Sequence, residues 1–253
     1  MRVTLIGSGN VATVLGRKIF HAGHIIHQVS GRNSDAAKRL ADELSAEAVS
    51  QPDAGADIYI VTVSDDALQN ISTWLQPIDK LIVHTAGSVS IGVLKDISSN
   101  YGVIWPIQSI RKETSTAPVL PVVIDANNQW NKMKLQGFAQ SFAESVTSAG
   151  DEERRKLHLA AVTSGNFSNY LFTLVEEFCN KERVNFKLML PLLRETVNRM
   201  EFDSPSVLQT GPAVRNDLTT IEKHKILLKG HASLLNVYVV LSEKIIEYYS
   251  GRR

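Results

Sequence analysis

Three sets of residues in this chain of 253 amino acids have types and spacings that could do chemistry. The first is Gly7, Gly9 and Ala12 in LIGSGNVA. The second is His84 and Ser88 in HTAGS. The third is a small, polar run, HLAAVTSGNFSN, with His158 and Asn166 eight residues apart. Gly-x-Gly-x-x-Ala between an apolar run and a helix-forming run is a spacing that admits a pyrophosphate. Gly7 permits the tight turn, Gly9 lets the phosphates reach the backbone, and Ala12 lets the helix pack closely on the strand. Ser8, Asn10 and Val11 complete the loop, and the helix start offers unpaired N–H groups and a positive dipole end.

The ribose of a bound dinucleotide is read about 20 residues further on, where a carboxylate selects NAD and an arginine accepts the 2′-phosphate of NADP. Here the second apolar run ends in VSGRNSD. It offers Ser30, Arg32, Asn33 and Ser34, with no carboxylate before Asp35, which starts the next helix. The expected cofactor is therefore NADP, with NAD as the alternative if Arg32 is only a solvated loop charge. Val63 and Ser64, in VSDDA, complete the expected cofactor contacts.

Ligands of open α/β sheets lie beyond the carboxyl ends of the strands, which brings HTAGS and WPIQS into view. His84 can move a proton near neutral pH and Ser88 can donate a hydrogen bond, although a strand-end histidine also serves purely structural hydrogen bonding. Trp105, beside Pro106, is either an apolar wall for substrate or a packed core residue. On a helix, His158 and Asn166 share a broad face. Asn166 could orient a carbonyl or imine while His158 supplies a proton, and close helix packing explains the same small residues equally well. Arg215, in the turn after Gly211-Pro212, could reach a phosphate or carboxylate. Asp217 is expected to cap the next helix, and Thr219 with Glu222 to form a capping box.

These residues need a particular frame. Apolar runs RVTLIG, HIIHQVSG, ADIYIVTV, KLIVHTAG, YGVIWPIQS and LPVVIDAN alternate with helical stretches, which predicts α/β architecture with a doubly wound parallel sheet. A helix is expected from about Asn128 to Glu144. After Gly150 the pattern is helical only, so the expected domains are 1–150, binding the dinucleotide, and 151–253, an all-α substrate and dimerisation domain, with Gly230 dividing the last helical run. A net charge of +1 argues against a nucleic-acid partner. The single cysteine, Cys179, excludes an intrachain disulfide and a Cys-x-x-Cys pair, and no metal site is expected. The first apolar run is too short for a secretory signal and no run is long enough to span a bilayer, so the expectation is a cytoplasmic protein.

With these motifs assembled, the chain resembles a Rossmann-like family that carries a helical carboxy-terminal domain of unknown function. That family is related to pyrroline-5-carboxylate reductases and deazaflavin-dependent NADP oxidoreductases. The resemblance spans nearly the whole chain and rests on GSGNVA, HTAGS, HLAAVTSGNFSNYL and LQTGPAVRNDLTTIEKH, the last matching the family at Thr210, Gly211, Pro212, Arg215, Asp217 and His224. It implies a helical domain like that of 6-phosphogluconate dehydrogenase, homodimerisation through those helices, and a small-molecule substrate held between the domains. Many relatives have histidine where this chain has Trp105, so no role of that histidine transfers. The expected activity is NADP-dependent hydride transfer to or from a small carbonyl or imine; the alternative is a dinucleotide-binding sensor or scaffold without catalysis.

Overall fold

The computed structural model describes residues 1–112 and 119–251. The chain divides into two compact units, Met1–Ser164 and Gly165–Arg253.

The first unit runs β1 (Arg2–Ile6), α1 (Asn10–His21), β2 (Ile25–Ser30), α2 (Ser34–Glu43), β3 (Glu47–Val49), β4 (Ile58–Val61) and α3 (Asp65–Gln69). It continues through β5 (Leu81–His84), β6 (Tyr101–Pro106), β7 (Pro121–Ala126), α4 (Gln129–Gln140), β8 (Ser145–Ser148) and α5 (Asp151–Ala161). The strands form one sheet in the order β3-β2-β1-β4-β5-β6-β7-β8. The central strands read as unbroken apolar runs because both sheet faces are covered: every residue of β4 and β5 is buried. Leu5, Ile60 and Val83 pack on one face against Leu15 and Ile19 of α1, while Tyr59 and Ile82 pack on the other against Leu68 and Leu94.

Three details differ from the sequence expectation. The sheet is not wholly parallel, since β7 lies antiparallel to β6; the chain returns beside the strand it has just left instead of crossing the sheet. Strands β3 and β8 are additional. Both are short, largely exposed edge strands, EAV and SVTS, and carry little apolar signal. The helix expected to reach Glu144 ends at Gln140, where the chain turns into β8.

The regular elements among the second unit's described residues are all helical, its α-helices being α6 (Ser168–Lys181), α7 (Leu190–Asn198), α8 (Pro205–Leu208), α9 (Leu218–Leu227) and α10 (Ala232–Ser250). A 3₁₀ turn over Leu228–Gly230 separates α9 from α10, at the position of the expected break. Asp217 caps α9, its Oδ1 accepting from the Thr220 N–H at 3.0 Å. The Thr219–Glu222 capping box does not form: Asp217 takes the N-cap position, which puts Thr219 inside the helix, and Glu222 pairs with Lys225 at 2.7 Å. Phe172, Val175, Leu192, Leu193, Val237 and Leu241 line an apolar groove of about 380 Å³ in this unit.

The two compact units meet in sequence within a helical run, at a π-helical turn over Val162–Phe167. Helix α5 groups with the sheet because Leu157 and Ala161 pack against Val103, Trp105 and Val123.

Candidate functional site

Strand order reverses at β1, with β2 on one side and β4 on the other, and a cleft of about 860 Å³ opens beyond the carboxyl ends of these strands. Gly7 adopts φ +127°, and a Cβ there would lie 2.3 Å from the Thr62 hydroxyl, so the turn out of β1 admits glycine alone. A Cβ on Gly9 would meet nothing within 4 Å, which leaves that backbone open to the cleft. Gly9 also provides the N-cap of α1, with no side-chain cap and no acidic residue in the first turn. Its free N–H groups and positive dipole end suit a phosphate.

The opposite rim comes from β2. The Gly7 N–H donates to the Ser30 carbonyl at 2.7 Å, and a Cβ on Gly31 would come within 2.8 Å of Ser8 Oγ, so the first two strand-end loops sit close together. Ser8, Ser30, Arg32, Asn33, Val63 and Ser64 all line the cleft. Asn33 also accepts from the Ala36 N–H at 2.9 Å and so caps α2. Asn10, Val11, Ala12 and Ser34 do not line it; Ala12 is fully buried against the sheet, the packing role its size allows. Sequence reasoning missed Gly31, Gln51, Pro52, Asp66, Asn70 and Trp74 on the cleft wall. Gln51 follows the short β3 and its Nε2 donates to the Trp74 carbonyl at 3.3 Å. An aromatic shortly after a strand-end helix was the available signal for Trp74. The residues fit a dinucleotide: an open glycine cradle at a helix start, hydroxyl groups beside it, and a cation at the end of β2.

The four candidate groups outside the cleft that belong to the first unit gather near the ends of β5 and β6. Gly87 lies beneath both Trp105 and His158, where a Cβ would approach their rings to 2.6 and 2.7 Å. The two ring centroids are 5.7 Å apart. Trp105 is only 7% exposed and joins a small core cluster with Val103 and Val123. Ser88 Oγ donates to Asp65 at 2.6 Å. His84 is fully buried. Its Nδ1 accepts from the Ala86 N–H at 3.2 Å, which assigns the proton of the neutral ring to Nε2. Burial, with the nearby Arg154 charge, pushes its pKa down to about 4. His84 is therefore neutral near pH 7.

Asn166 and Arg215 belong to the second unit and are exposed. The α-helical register that pairs Asn166 with His158 is interrupted by the π-helical turn, where Ser164 Oγ donates to the Ala160 carbonyl at 2.8 Å. π-Turns inside α-helices are frequent at functional sites.

A topological-switch cleft with this glycine turn, followed by an all-helical unit, defines a two-unit protein of Rossmann type. Residues 2–87 match the family described as NADP oxidoreductase coenzyme F420-dependent, and residues 120–245 match the domain of unknown function DUF2520. The chain is 33% identical to a Bacteroides fragilis protein provisionally named an NADP oxidoreductase, over 97% of this chain and 98% of that one, with a TM-score of 0.88. The chain belongs to the family that joins these two domains, as the sequence motifs led us to expect. A reductive aminase from Aspergillus terreus, solved with NADPH and ethyl-5-oxohexanoate, shares the fold at 15% identity and a TM-score of 0.72, over 98% of this chain and 94% of that one. So does 1-pyrroline-5-carboxylate reductase from Streptococcus pyogenes, at 14% identity and 0.63, over 98% of each chain. A search of curated proteins returns no match. Among the described residues, no helix is long and apolar enough to cross a membrane.

Proposed function

We propose that this protein is an oxidoreductase that uses NADP(H) to move a hydride to or from a small carbonyl or imine. The observation that carries the reading is the cleft itself, with Gly7 and Gly9 at the start of α1 and Arg32, unaccompanied by a carboxylate, at the end of β2. Gly9 and the α1 N–H groups would hold the pyrophosphate, and Arg32 with Ser30 and Asn33 the 2′-phosphorylated ribose. The nicotinamide, when bound, supplies the hydride chemistry; the protein supplies orientation, exclusion of water and a proton. Ser88 and His158 are the groups of the first unit assigned to hold or deliver that proton; Asn166 and Arg215 are the polar candidates that the second unit carries. Trp105 forms an apolar wall beside His158. His84, buried and neutral, acts by holding the β5 end in place. The family membership and the NADP-dependent naming of its relatives support the class of reaction.

We further propose a homodimer formed through the second unit, supported by the apolar side chains that α6, α7 and α10 leave exposed, among them Phe172, Leu192 and Leu241.

The test is a thermal-shift titration with NADP, NADPH, NAD and NADH. A ligand that binds only the folded state raises its stability, by about 2.7 kcal/mol at one hundred times Kd. Selective stabilisation by NADP(H) is expected; equal or stronger stabilisation by NAD(H) overturns the Arg32 reading, and no shift with any of the four overturns the oxidoreductase reading. One observation favours a second reading, a dinucleotide-binding sensor without catalysis: His84 is fully buried, Ser88 is hydrogen-bonded to Asp65, and neither lines the cleft. NADPH oxidation with any member of a carbonyl and imine panel eliminates it.

A further inference from the structure

Arg154 is the largest fully buried side chain among the described residues, and the cofactor cleft does not use it. It closes the first turn of α5, and its guanidinium reaches out of the helix: Nη2 donates to the Val89 carbonyl and, at 2.7 Å, to Asp151. Asp151, at the start of the same helix, accepts from Ser90 Oγ and, at 3.2 Å, from the Ile91 N–H. Burial alone would raise the Asp151 carboxyl; hydrogen bonds from Ser90, Arg154 and Ile91 outweigh it and hold the group ionised below the usual carboxylate range. Three consecutive residues after β5 are thus gripped by one helical turn. The next turn of α5 brings His158, which with Trp105 closes over Gly87.

The grip is not explained by stability. Arg154 Nε and Nη1 have no hydrogen-bond partner among the described residues. An ion pair of this kind, with Arg154 fully buried, Asp151 30% exposed and donors unused, stabilises a fold little compared with apolar side chains of similar size, which leaves the geometry it fixes as its role. What this pair fixes is Val89–Ile91, and with it the two residues before, Gly87 and Ser88. Ser88 in turn bonds Asp65, at the start of α3, whose next residue lines the cleft.

We propose that Arg154 is a positioning residue: acting through the Val89 carbonyl and Asp151, it holds the Gly87–Ile91 segment, and so Ser88 and the Trp105–His158 pair, in the geometry the reaction uses, without touching substrate or cofactor. The proposal rests on the oxidoreductase reading above for its catalytic consequence, but its structural half stands separately.

The test compares wild type with Arg154→Lys, which keeps the charge but not the fork of donors, and with the double variant Arg154→Met/Asp151→Asn. The latter removes both charges together and so leaves no unpaired ion. Three quantities are read: NADPH affinity by fluorescence titration, amide hydrogen exchange at residues 87–91, and reduction of 2-methyl-1-pyrroline by NADPH. The expected result is NADPH affinity within twofold of wild type in both variants, at least tenfold faster exchange at 87–91 in the double variant, and a kcat loss of at least tenfold with KM changed less than threefold. Arg154→Lys should recover part of the protection and a matching part of kcat. Unchanged exchange in the double variant overturns the proposal, as does a loss of NADPH affinity in parallel with kcat, which would mark general loosening. A wild type that binds NADPH but does not reduce 2-methyl-1-pyrroline rules out this imine as substrate, and exchange with NADPH affinity then decides the clamp alone: faster exchange with unchanged affinity upholds it, and unchanged exchange ends it.

Discussion

The two units bury their apolar residues very differently. In the first, Leu5, Leu15, Ile19, Ile60 and Val83 are sealed between the sheet and its helices, and this pattern extends across both faces. In the second, only Leu174, Cys179, Ala213, Ile221 and Leu228 are buried apolar residues among those described, while Phe167, Leu192, Phe202, Val207 and Leu227 are each more than 60% exposed. Yet both carry ordinary amphipathic helices. A sheet with two covered faces supplies its own partner surface, whereas a set of helices with apolar faces left open needs a partner to cover them. The first unit seals its own core, whereas the second leaves much of its apolar surface open.

The most forceful way to break that comparison is a pair of leucine substitutions, one in each unit. Leu5→Ala, at a site with no exposure, should destabilise by about 2–5 kcal/mol, the range for large-to-small changes in a packed core, as read by urea unfolding. Leu192→Lys, at a site 61% exposed, should change the stability of the isolated chain by under about 0.5 kcal/mol. It should nevertheless abolish any dependence of Tm on protein concentration that the wild type shows. A wild-type Tm independent of concentration over two decades removes the homodimer; a Leu192→Lys loss comparable to Leu5→Ala removes the contrast itself.

A second test sharpens the picture of the first unit, whose core is not wholly apolar. His84 has a pKa near 4 when folded against an ordinary 6.5, so between those values the unfolded chain binds a proton that the folded chain does not. Stability therefore falls as pH drops from 6.5 toward 4, by about 3 kcal/mol over that window from this group. Asp151 and Glu144, both held below their usual range, also lose their contributions on acidification. The difference in slope between wild type and His84→Gln isolates the histidine. Identical pH profiles for the two proteins would mean that His84 is not buried as described.

How much of this was legible in the sequence follows from the same physics. The glycine turn, the succession of long strands along the chain and the helical second half could be read because each leaves a strong local signature: unbroken apolar runs, a fixed Gly-x-Gly spacing, long stretches free of proline. Strands β3 and β8 could not, because a three- or four-residue exposed edge strand has almost no apolar pattern to detect. Thr62 lines the cleft through tertiary pairing of β4 beside β1, which no local spacing reports. Arg154 was invisible for a related reason. In DEERRKLH it reads as one of several charges on a solvated helix face, and only the docking of α5 onto the β5 end selects it, and not Arg155, for burial. The π-turn was signalled only by a mid-helix glycine, a cue shared with ordinary close packing.

The smallest expected effect on stability separates the two jobs that one residue does at the cleft rim. Asn33 caps α2 through its side-chain oxygen and also lines the cleft beside Arg32. Asn33→Ala removes the cap and should cost about 1 kcal/mol. Asn33→Asp keeps an equally good capping oxygen and adds a negative charge at the helix start, so stability should be unchanged within a few tenths of a kcal/mol. Its effect falls on recognition instead. A carboxylate beside Arg32 repels a 2′-phosphate and can accept from a 2′-hydroxyl, so affinity for NADPH should fall about tenfold, near 1.4 kcal/mol, while affinity for NADH holds or rises. The measurement is parallel titration of the two nucleotides against wild type and both variants. If Asn33→Asp leaves the NADPH to NADH ratio where it was, the end of β2 does not read the ribose, and the cleft would owe its nucleotide preference to the Gln51 and Trp74 side instead.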